Sequence, residues 1–351
     1  MQKKLLAAVI VAIVIVGAGY WYYQTYLLPP PPPRTIYVSH WGFGWDQIKK
    51  IVIEPFESKY NVKIVLISGT TSERFTKLTT KAEPVPDVIF LPDYYTYQAQ
   101  QKGLLIKLDL SKISNYEKVY KVLRDQIPKS LAEYGVPFTI QDLALAYRTD
   151  RHSKISSWKD MWRDDFKGKV LMPTITATSG PMALVMTSLA YGGSIEDVEP
   201  GFKALEALKK DIVTFYSRSS DPQTLFERGE VEIAPVLRYN WAPLKNLSVP
   251  VDIIYPVEGS LYVLNMISVV NGSKNIDLAY KLIDFWLSTE IQKNLALAGV
   301  DAPINSEVSL PSDHPFNISP VFNNKPLYLN PEVLAKNLKS WVDAWKSRVE
   351  G

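Results

Sequence analysis

The chain has 351 residues, with 39 basic and 36 acidic side chains, a net charge of +3 and no cysteine. Such balanced charge, without a stripe of Lys and Arg, argues against nucleic acid as a partner, and the absence of cysteine excludes a disulfide framework. The residues after position 34 are too many for one small core and suit two lobes.

The N-terminal segment is apolar. Two lysines precede residues 5–23, which form a run of 19 residues without a charge. A helix of that length is about 28 Å long, close to the roughly 30 Å hydrocarbon core of a bilayer. We expect a single transmembrane helix in residues 1–28 that anchors the protein on the extracellular side of the plasma membrane, with a cytoplasmic N-terminus. A cleaved signal peptide is the alternative.

A run of prolines follows this segment. Pro29 to Pro33 are consecutive, and such a run favours an extended polyproline II conformation of about 3.1 Å per residue. Residues 29–34 are therefore predicted to be a stiff linker.

The next part of the chain alternates strand and helix. Apolar residues recur near the helical period in 45–60, whereas short apolar runs typical of strands flank them. This alternation predicts an α/β fold with a parallel sheet, whose ligands bind at the carboxyl ends of the strands. The predicted strands are 35–38, 62–67 and 87–91, and the predicted helices are 45–60, 72–82 and 94–102.

Three loops follow those strand ends, at 39–43, 68–72 and 92–95. The second loop is rich in hydroxyl groups and leads into a helix, so its amides are suited to a small anionic or zwitterionic ligand. Gly69, Thr70 and Thr71 are the candidate contacts. In the alternative interpretation these are only turn residues and Ser72 is a helix cap.

A second hydroxyl-rich junction lies in the later half. Residues 156–165 are predicted to be a helix and 170–172 a strand, after which a polar loop, 174–180, leads into a helix over 181–191. Thr178, Ser179 and Gly180 are the candidate contacts here, because a helix N-terminus has unpaired N–H groups and a positive dipole end. The remaining predicted elements are helices 199–209, 221–228, 276–287, 290–298 and 330–349 and strands 212–215 and 231–236.

Two segments are expected to cross between the lobes, 143–148 and 261–270. Lobe 1 is predicted to comprise residues 35–142 with 266–310, and lobe 2 residues 143–265. Residues 311–351 are expected to form a C-terminal helical tail on one of the two lobes.

Several stretches resemble the extracellular solute-binding proteins of ABC importers, in particular the branch with spermidine/putrescine binders and iron and phosphonate binders. The first stretch is W-x-D-x-W-x-x-x-F-x-G-K-V from Trp158, followed by a small-residue loop and an apolar helix. The resemblance implies a two-lobed periplasmic-binding-protein-like fold with hinge-linked lobes, a solute in the cleft, and a membrane permease as partner. It also implies that Trp41 and Tyr94 face the cleft. The other stretches, in the family's order, are 86–113, 144–150, 226–236, 249–259 and 277–296.

The resemblance leaves the solute open. Polyamine binders use carboxylates and aromatic side chains for their ligand. At those places this chain has the hydroxyl-rich loop 174–178, Leu237, Val263 and Asn265, so that a polyamine is disfavoured although it remains an alternative. Iron binders need a tyrosine pair where Tyr239 stands alone beside Arg238, which leaves iron as a further alternative.

Arg238 favours a ligand with negative charge. It follows a strand of the second lobe, and a guanidinium group suits carboxylate, phosphonate or sulfonate recognition. Tyr239 and Asn265 are predicted to line the same site. We therefore expect a small anionic or zwitterionic organic solute, unless Arg238 is a surface residue paired with Glu230 or Glu232.

Catalytic motifs do not occur in the sequence. The three histidines lie far apart, and H-E-x-x-H, G-x-S-x-G and the P-loop are missing. We expect a monomeric binding protein that is not an enzyme and needs no cofactor or metal. A membrane-anchored surface enzyme or a structural protein is the alternative from another class.

Overall fold

The computed structural model describes residues 2–22, 32–218 and 220–351, with the backbone alone for residues 2–11. It divides into two compact units, Met1–Arg34 and Thr35–Gly351. In the first unit the described element is the helix α1, Gln2–Tyr22. Among the described residues no helix is both long and apolar enough to cross a bilayer, so the predicted span of residues 5–23 is not supported. Tyr23 and the prolines 29–31 lie outside the described residues.

The second unit alternates strands and helices, as the spacing of apolar residues predicted. Each of its strands contains buried or half-buried residues, and most of its longer helices bury one face. The strands are β1 (Arg34–His40), β2 (Val62–Ser68), β3 (Val88–Pro92), β4 (Val136–Arg148), β5 (Val170–Pro173), β6 (Ile212–Tyr216), β7 (Ile233–Leu237), β8 (Val251–Ile254), β9 (Ser260–Val269) and β10 (Pro326–Tyr328). The helices are α2 (Trp45–Ile48), α3 (Glu54–Tyr60), α4 (Thr71–Thr79), α5 (Asp93–Gln101), α6 (Lys121–Gln126), α7 (Ser179–Ala190), α8 (Glu199–Leu208), α9 (Asp221–Glu227), α10 (Trp241–Lys245), α11 (Ile276–Trp286), α12 (Thr289–Leu297), α13 (Ser319–Asn323) and α14 (Pro331–Trp345).

One strand, β4, joins the two lobes. Its first part pairs with β9, up to Asp142 opposite Tyr262. Its second part pairs with β7, from Leu143 opposite Leu237, and with β8. The strand order is β2-β1-β3-β9-β4-β7-β5-β6. We call the side with β1, β2, β3, β9 and β10 the first lobe and the side with β5, β6, β7 and β8 the second lobe.

The return crossing differs from its prediction. We expected residues 261–270 to cross, but β9 pairs along its length with β3, with the first part of β4 and with β10, all in the first lobe. The chain therefore returns through residues 255–259, between β8 and β9. The apolar run of β9 resembled a crossing strand because a strand buried on both faces has the same composition.

Two predicted helices are irregular. The helix predicted over 45–60 has a π-helical segment, Lys49–Ile53, between α2 and α3. The helix predicted over 156–165 is two short 3₁₀ turns, Trp158–Trp162 and Asp164–Phe166, and Ser157 caps the first. Trp158 and Met161 are buried, as they would be in the predicted helix. Residues three apart in sequence also lie on the same face of a short 3₁₀ turn.

The C-terminal helix α14 contacts both lobes. Its buried residues Leu334, Leu338, Trp341 and Trp345 belong to one apolar cluster with residues of α5 and of α7. At its beginning Ser130 of the first lobe donates a hydrogen bond to Glu332. Beyond its end Arg348 binds Glu199 and Glu206 of α8 in the second lobe. The tail was expected on one lobe, and it lies on both.

Candidate functional site

A cavity of about 710 Å³ lies between the two lobes. Loops at the carboxyl ends of β1, β2, β5, β6 and β7 form most of its wall, as expected for ligand sites of such sheets. Strands β4 and β9 and the segment after α12 complete it. The lining residues are His40, Trp41, Gly42, Phe43, Gly44, Ser68, Gly69, Thr70, Thr71, Glu73, Phe138, Gln141, Thr176, Ala177, Thr178, Ser217, Arg218, Ser220, Gln223, Leu237, Tyr239, Asn265, Val300 and Asp301.

The loop after β1 holds Trp41 in a fixed position. Its indole Nε1 donates to Thr71 Oγ1 over 2.8 Å, and the Arg74 guanidinium lies 4.4 Å from the ring centre. Burial and the charge of Arg74 lower the pKa of His40 to about 3, so this histidine is neutral at physiological pH. Trp41 lines the cavity, in agreement with its predicted position.

The loop after β2 is closed by a capping box. Thr70, rather than Ser72, caps α4: its hydroxyl accepts from the Glu73 amide, and Glu73 Oε2 accepts from the Thr70 amide over 2.8 Å. Gly69 has a φ of +152°, a conformation that L side chains rarely adopt. Gly69, Thr70 and Thr71 all line the cavity, and hydroxyl groups in such a loop are suited to a polar solute.

The loop after β5 places only part of its predicted contacts at the surface of the cavity. Thr178 lines it, whereas Ser179 and Gly180 are buried beneath. Ser179 Oγ accepts from the Tyr216 hydroxyl over 3.1 Å. A Cβ on Gly180 would lie 2.3 Å from the Thr174 carbonyl oxygen. Both residues therefore support the loop from below, because the chain folds back tightly at the start of α7.

Tyr94 also lies behind the cavity wall. It is buried, and burial raises its pKa well above the ordinary value. A hydrogen bond joins its side chain to that of Thr178. Tyr94 is thus in contact with a lining residue but does not itself line the cavity.

Arg238 does not reach the cavity. Its side chain is 1 % exposed, and Asp142 accepts from Nε over 2.5 Å and from Nη2 over 3.1 Å. The carbonyl oxygens of Pro315 and Asn317 accept from Nη1, and Tyr255 also contacts the guanidinium. Burial alone would lower the pKa of Arg238, but the charge of Asp142 raises it above its ordinary value. The predicted contact of Arg238 with an anion in the cavity is therefore wrong. The alternative, a surface pair with Glu230 or Glu232, is also wrong, because Arg238 is buried and paired with Asp142.

A different arginine, Arg218, lines the cavity from the second lobe. It follows β6 and precedes α9, and it is exposed. Its backbone amide donates to Asp221 Oδ2 over 3.0 Å, whereas its guanidinium has no hydrogen bond or ion pair with the described residues. Hydrogen bonds from Thr70 lower the pKa of Glu73, and the charge of Arg218 across the cleft acts in the same direction. In the sequence, serines lie on both sides of Arg218 between the predicted strand 212–215 and the predicted helix 221–228, so the sequence contained the signal that would have identified Arg218.

Tyr239 and Asn265, which were predicted to lie at the same site as Arg238, both line the cavity. Tyr239 lines the cavity, and its ring centre lies 5.1 Å from that of Phe43, which joins the two lobes across the cleft. Asn265 lines the cavity from β9.

Four buried polar atoms on the cavity wall have no hydrogen-bond partner among the described residues. They are Gln141 Oε1, Asn265 Oδ1 and Asp301 Oδ2 from the first-lobe side and Gln223 Nε2 from the second lobe. Burial raises the pKa of Asp301 to about 7. Buried polar atoms are normally paired, so four unpaired ones make this cavity the candidate binding site. Asp301 and Gln223 were not among the predicted site residues.

Known proteins resemble this chain over most of its length. The family model of bacterial extracellular solute-binding proteins matches residues 52–330. The spermidine/putrescine-binding periplasmic protein of Escherichia coli is 23% identical over 268 residues, 75% of each chain. The gamma-aminobutyric acid-binding protein of Pseudomonas aeruginosa is 27% identical over 219 residues, 59% of this chain and 58% of that protein.

A solved structure agrees in fold. The crystal structure of an ABC transporter from Clostridium perfringens has a TM-score of 0.75 and 30% identity, and the match covers 90% of this chain and 99% of that chain. This likeness confirms the two-lobed α/β fold. The chain belongs to the bacterial extracellular solute-binding proteins and is a solute-binding protein of an ABC transporter.

Proposed function

We propose that this protein captures a small anionic or zwitterionic organic solute in the cavity between its lobes and delivers it to a membrane permease. Arg218 carries this proposal, because its guanidinium faces the cavity without a partner among the described residues. A guanidinium offers five N–H donors in a planar arrangement that matches a carboxylate or phosphonate. The protein acts by binding rather than by catalysis, and as a monomer.

The hydroxyl-rich loops support a polar solute. Thr70 and Thr71 face the cavity from the first lobe and Thr178 from the second. Thr178 directly precedes α7, whose first amides and positive dipole end favour negative charge. The aromatic rings of Trp41 and Tyr239 provide the apolar part of the wall. Gly69 and Asn265 complete the set of contacts that we propose for the solute.

Names of two relatives bear on the solute class. One is named for polyamines and the other for gamma-aminobutyric acid, a zwitterion. The cavity of this chain is lined by the Arg218 guanidinium as well as by the carboxyl groups of Glu73 and Asp301, and such a mixture of charges suits a zwitterion better than a polycation. We therefore place this protein with the zwitterion binder in solute class.

Binding is proposed to close the cleft by a hinge. β4 passes between the lobes at residues 142–143, and residues 255–259 form the return crossing. A solute that touches Arg218 in one lobe and Trp41 in the other makes its full set of contacts only when the lobes are together. The closed state is favoured by that difference in contacts.

Calorimetric titration of the full-length chain tests the proposed class. We expect heat of binding and a raised unfolding midpoint with 4-aminobutyrate, glutarate or methylphosphonate; a ligand at a hundred times its dissociation constant stabilises by about 2.7 kcal/mol. Arg218→Gln should weaken the binding of these ligands by roughly tenfold or more.

Arg228→Gln is the matched control. Arg228 lies at the surface near Glu230, outside the cavity, so its replacement should leave affinity unchanged. Binding restricted to putrescine, spermidine or ferric citrate, or equal affinity in the Arg218 and Arg228 variants, would contradict the proposal.

A further inference from the structure

Buried side-chain atoms of the cavity wall that have no partner among the described residues differ between the lobes. Acceptor atoms, Gln141 Oε1, Asn265 Oδ1 and Asp301 Oδ2, lie on the first-lobe side. Donor groups, the Arg218 guanidinium and Gln223 Nε2, lie on the second-lobe side. A ligand that pairs with these particular atoms donates at one end and accepts at the other.

The acceptor groups form one patch because the backbone holds them together. Asn265 pairs with Thr139 across β9 and β4, and Gln141 lies two residues further along β4. The Thr139 hydroxyl donates to the Ala302 carbonyl over 2.9 Å, which fastens the residue after Asp301 to the same strand. The segment is therefore anchored beside the two amides.

Further bonds fix the segment that carries Asp301. The Val300 amide donates to the Leu295 carbonyl over 2.9 Å, and the Ile304 amide donates to Gln292 Oε1 over 2.9 Å. Bonds on both sides thus hold Asp301 on the wall. Its position is set by α12 and β4 rather than by its own side-chain contacts.

Asp301 is the decisive group of the patch. The residue is 9 % exposed, and Oδ2 has no partner among the described residues. Burying a carboxylate without a partner is costly, and desolvation raises its pKa to about 7. A bound cation removes this cost, and a primary ammonium offers three N–H donors and no acceptor, which matches three acceptor atoms.

We propose that Asp301, with Gln141 and Asn265, receives a primary ammonium group of the solute while Arg218 and Gln223 receive its carboxylate, so that the ligand is an amino acid with the two groups at opposite ends. This assignment rests on the proposed function and narrows it. The two charged ends of the ligand contact different lobes, so an α-amino acid, whose charged groups are adjacent, reaches only one side.

A chain-length series tests the assignment. Full-length protein is titrated with glycine, 3-aminopropanoate, 4-aminobutyrate, 5-aminopentanoate and 6-aminohexanoate. Butyrate, which lacks the ammonium group, and putrescine, which lacks the carboxylate, are titrated for comparison. We expect one of the longer amino acids to bind at least tenfold more tightly than glycine, butyrate and putrescine.

Variants separate this inference from the proposed function. Asp301→Asn should weaken the best amino acid by roughly tenfold or more and leave butyrate unchanged, whereas the control Asp313→Asn, at an exposed aspartate outside the cavity, should change neither. Unfolding midpoints of all variants verify that they are folded.

The possible results distinguish a failure of this inference from a failure of the proposed function. If butyrate or glutarate binds as tightly as the amino acids and Asp301→Asn has no effect, the ammonium site is refuted while the proposed function stands. If glycine binds best, the separation of the two ends is refuted. If putrescine alone binds, or no carboxylate binds, the proposed function fails and this inference with it.

Discussion

Two arginine–aspartate regions lie within the second unit and differ in how they are satisfied. At the lobe crossing Arg238 and Asp142 are both buried and bind each other, with Tyr255 as a further partner. In the cavity, the Arg218 guanidinium and Asp301 Oδ2 each have no hydrogen bond with the described residues. The charges of the first region are paired within the protein, and we propose that a ligand pairs with those of the second.

The difference shows that position in the sequence does not identify a binding charge. Arg238 and Arg218 both follow strands of the second lobe, β7 and β6. Arg238 is paired within the protein because Asp142 lies on the neighbouring strand, where Leu143 is opposite Leu237. Only the count of partners separates the structural arginine from the one that we propose for solute.

The largest expected effect on stability comes from breaking the Arg238–Asp142 pair at the lobe crossing. Asp142→Asn leaves the Arg238 charge buried and poorly compensated, and breaking such a pair costs about 3–5 kcal/mol. Urea unfolding of the variant measures this loss. Asp343→Asn removes an exposed partner of Lys339 and should change the free energy of unfolding by less than about 0.5 kcal/mol. Equal stability of the two variants would show that Arg238 is not held as described.

Asp301→Asn should stabilise the unliganded protein, whereas Asp142→Asn should destabilise it. The folded-state pKa of Asp301 is raised to about 7 from its ordinary 3.8, so the unliganded protein loses stability as pH rises from about 4 to 7. The variant lacks this loss and should be more stable than the natural chain at pH 8, by at most on the order of 4 kcal/mol. At pH 4 the gain should disappear. Thermal unfolding at both pH values measures it.

Asp93 provides the matched control for that prediction. Burial raises its pKa to about 7 as well, but its carboxylate accepts from the Tyr94 and Leu264 amides and from the Tyr328 hydroxyl. Asp93→Asn loses part of these bonds and should not stabilise the protein at pH 8. A stabilised Asp93 variant, or a destabilised Asp301 variant, would contradict the contrast between satisfied and unsatisfied aspartates.

The pH dependence of binding gives the smallest effect. A ligand ammonium binds ionised Asp301, so affinity for 4-aminobutyrate should fall by up to about tenfold for each pH unit below 7. Lining groups that also carry or change charge are His40, Glu73, Arg218 and Tyr239. The pKa of His40 is lowered to about 3, that of Glu73 is lowered by its Thr70 bonds, and burial raises that of Tyr239. None of these three shifts brings a second titration between pH 6 and 8.

Calorimetry at pH 6 and pH 8 measures this dependence. The natural chain should bind 4-aminobutyrate more weakly at pH 6, and Asp301→Asn should bind with the same low affinity at both. A pH-dependent Asp301 variant would assign the titration to another group.

The sequence predicted the fold largely through periodicity. Alternating strands and helices, and the hydroxyl-rich loops at strand ends, predicted the α/β lobes and the loops that contain Thr70 and Thr178. Local pattern could not distinguish β9 from a crossing strand, since its partners β3 and β4 are distant in sequence. It also predicted a membrane span that the described residues do not support.

The sequence predicted some residues of the cavity wall and not others. Trp41 and Asn265 lie on the wall as expected, whereas Ser179, Gly180 and Tyr94 support it from behind. Asp301 comes from a segment after α12 that carries no motif, and only tertiary packing brings it beside Asn265. Burial without a partner is a property of the folded chain, so sequence alone could not reveal it.

A crystal structure of the full-length chain saturated with 4-aminobutyrate would test the central claim most directly. The account predicts the ligand between the lobes, with its carboxylate within hydrogen-bond distance of Arg218 and its ammonium within hydrogen-bond distance of Asp301. A ligand bound in the reverse orientation, or outside this cavity, would contradict it.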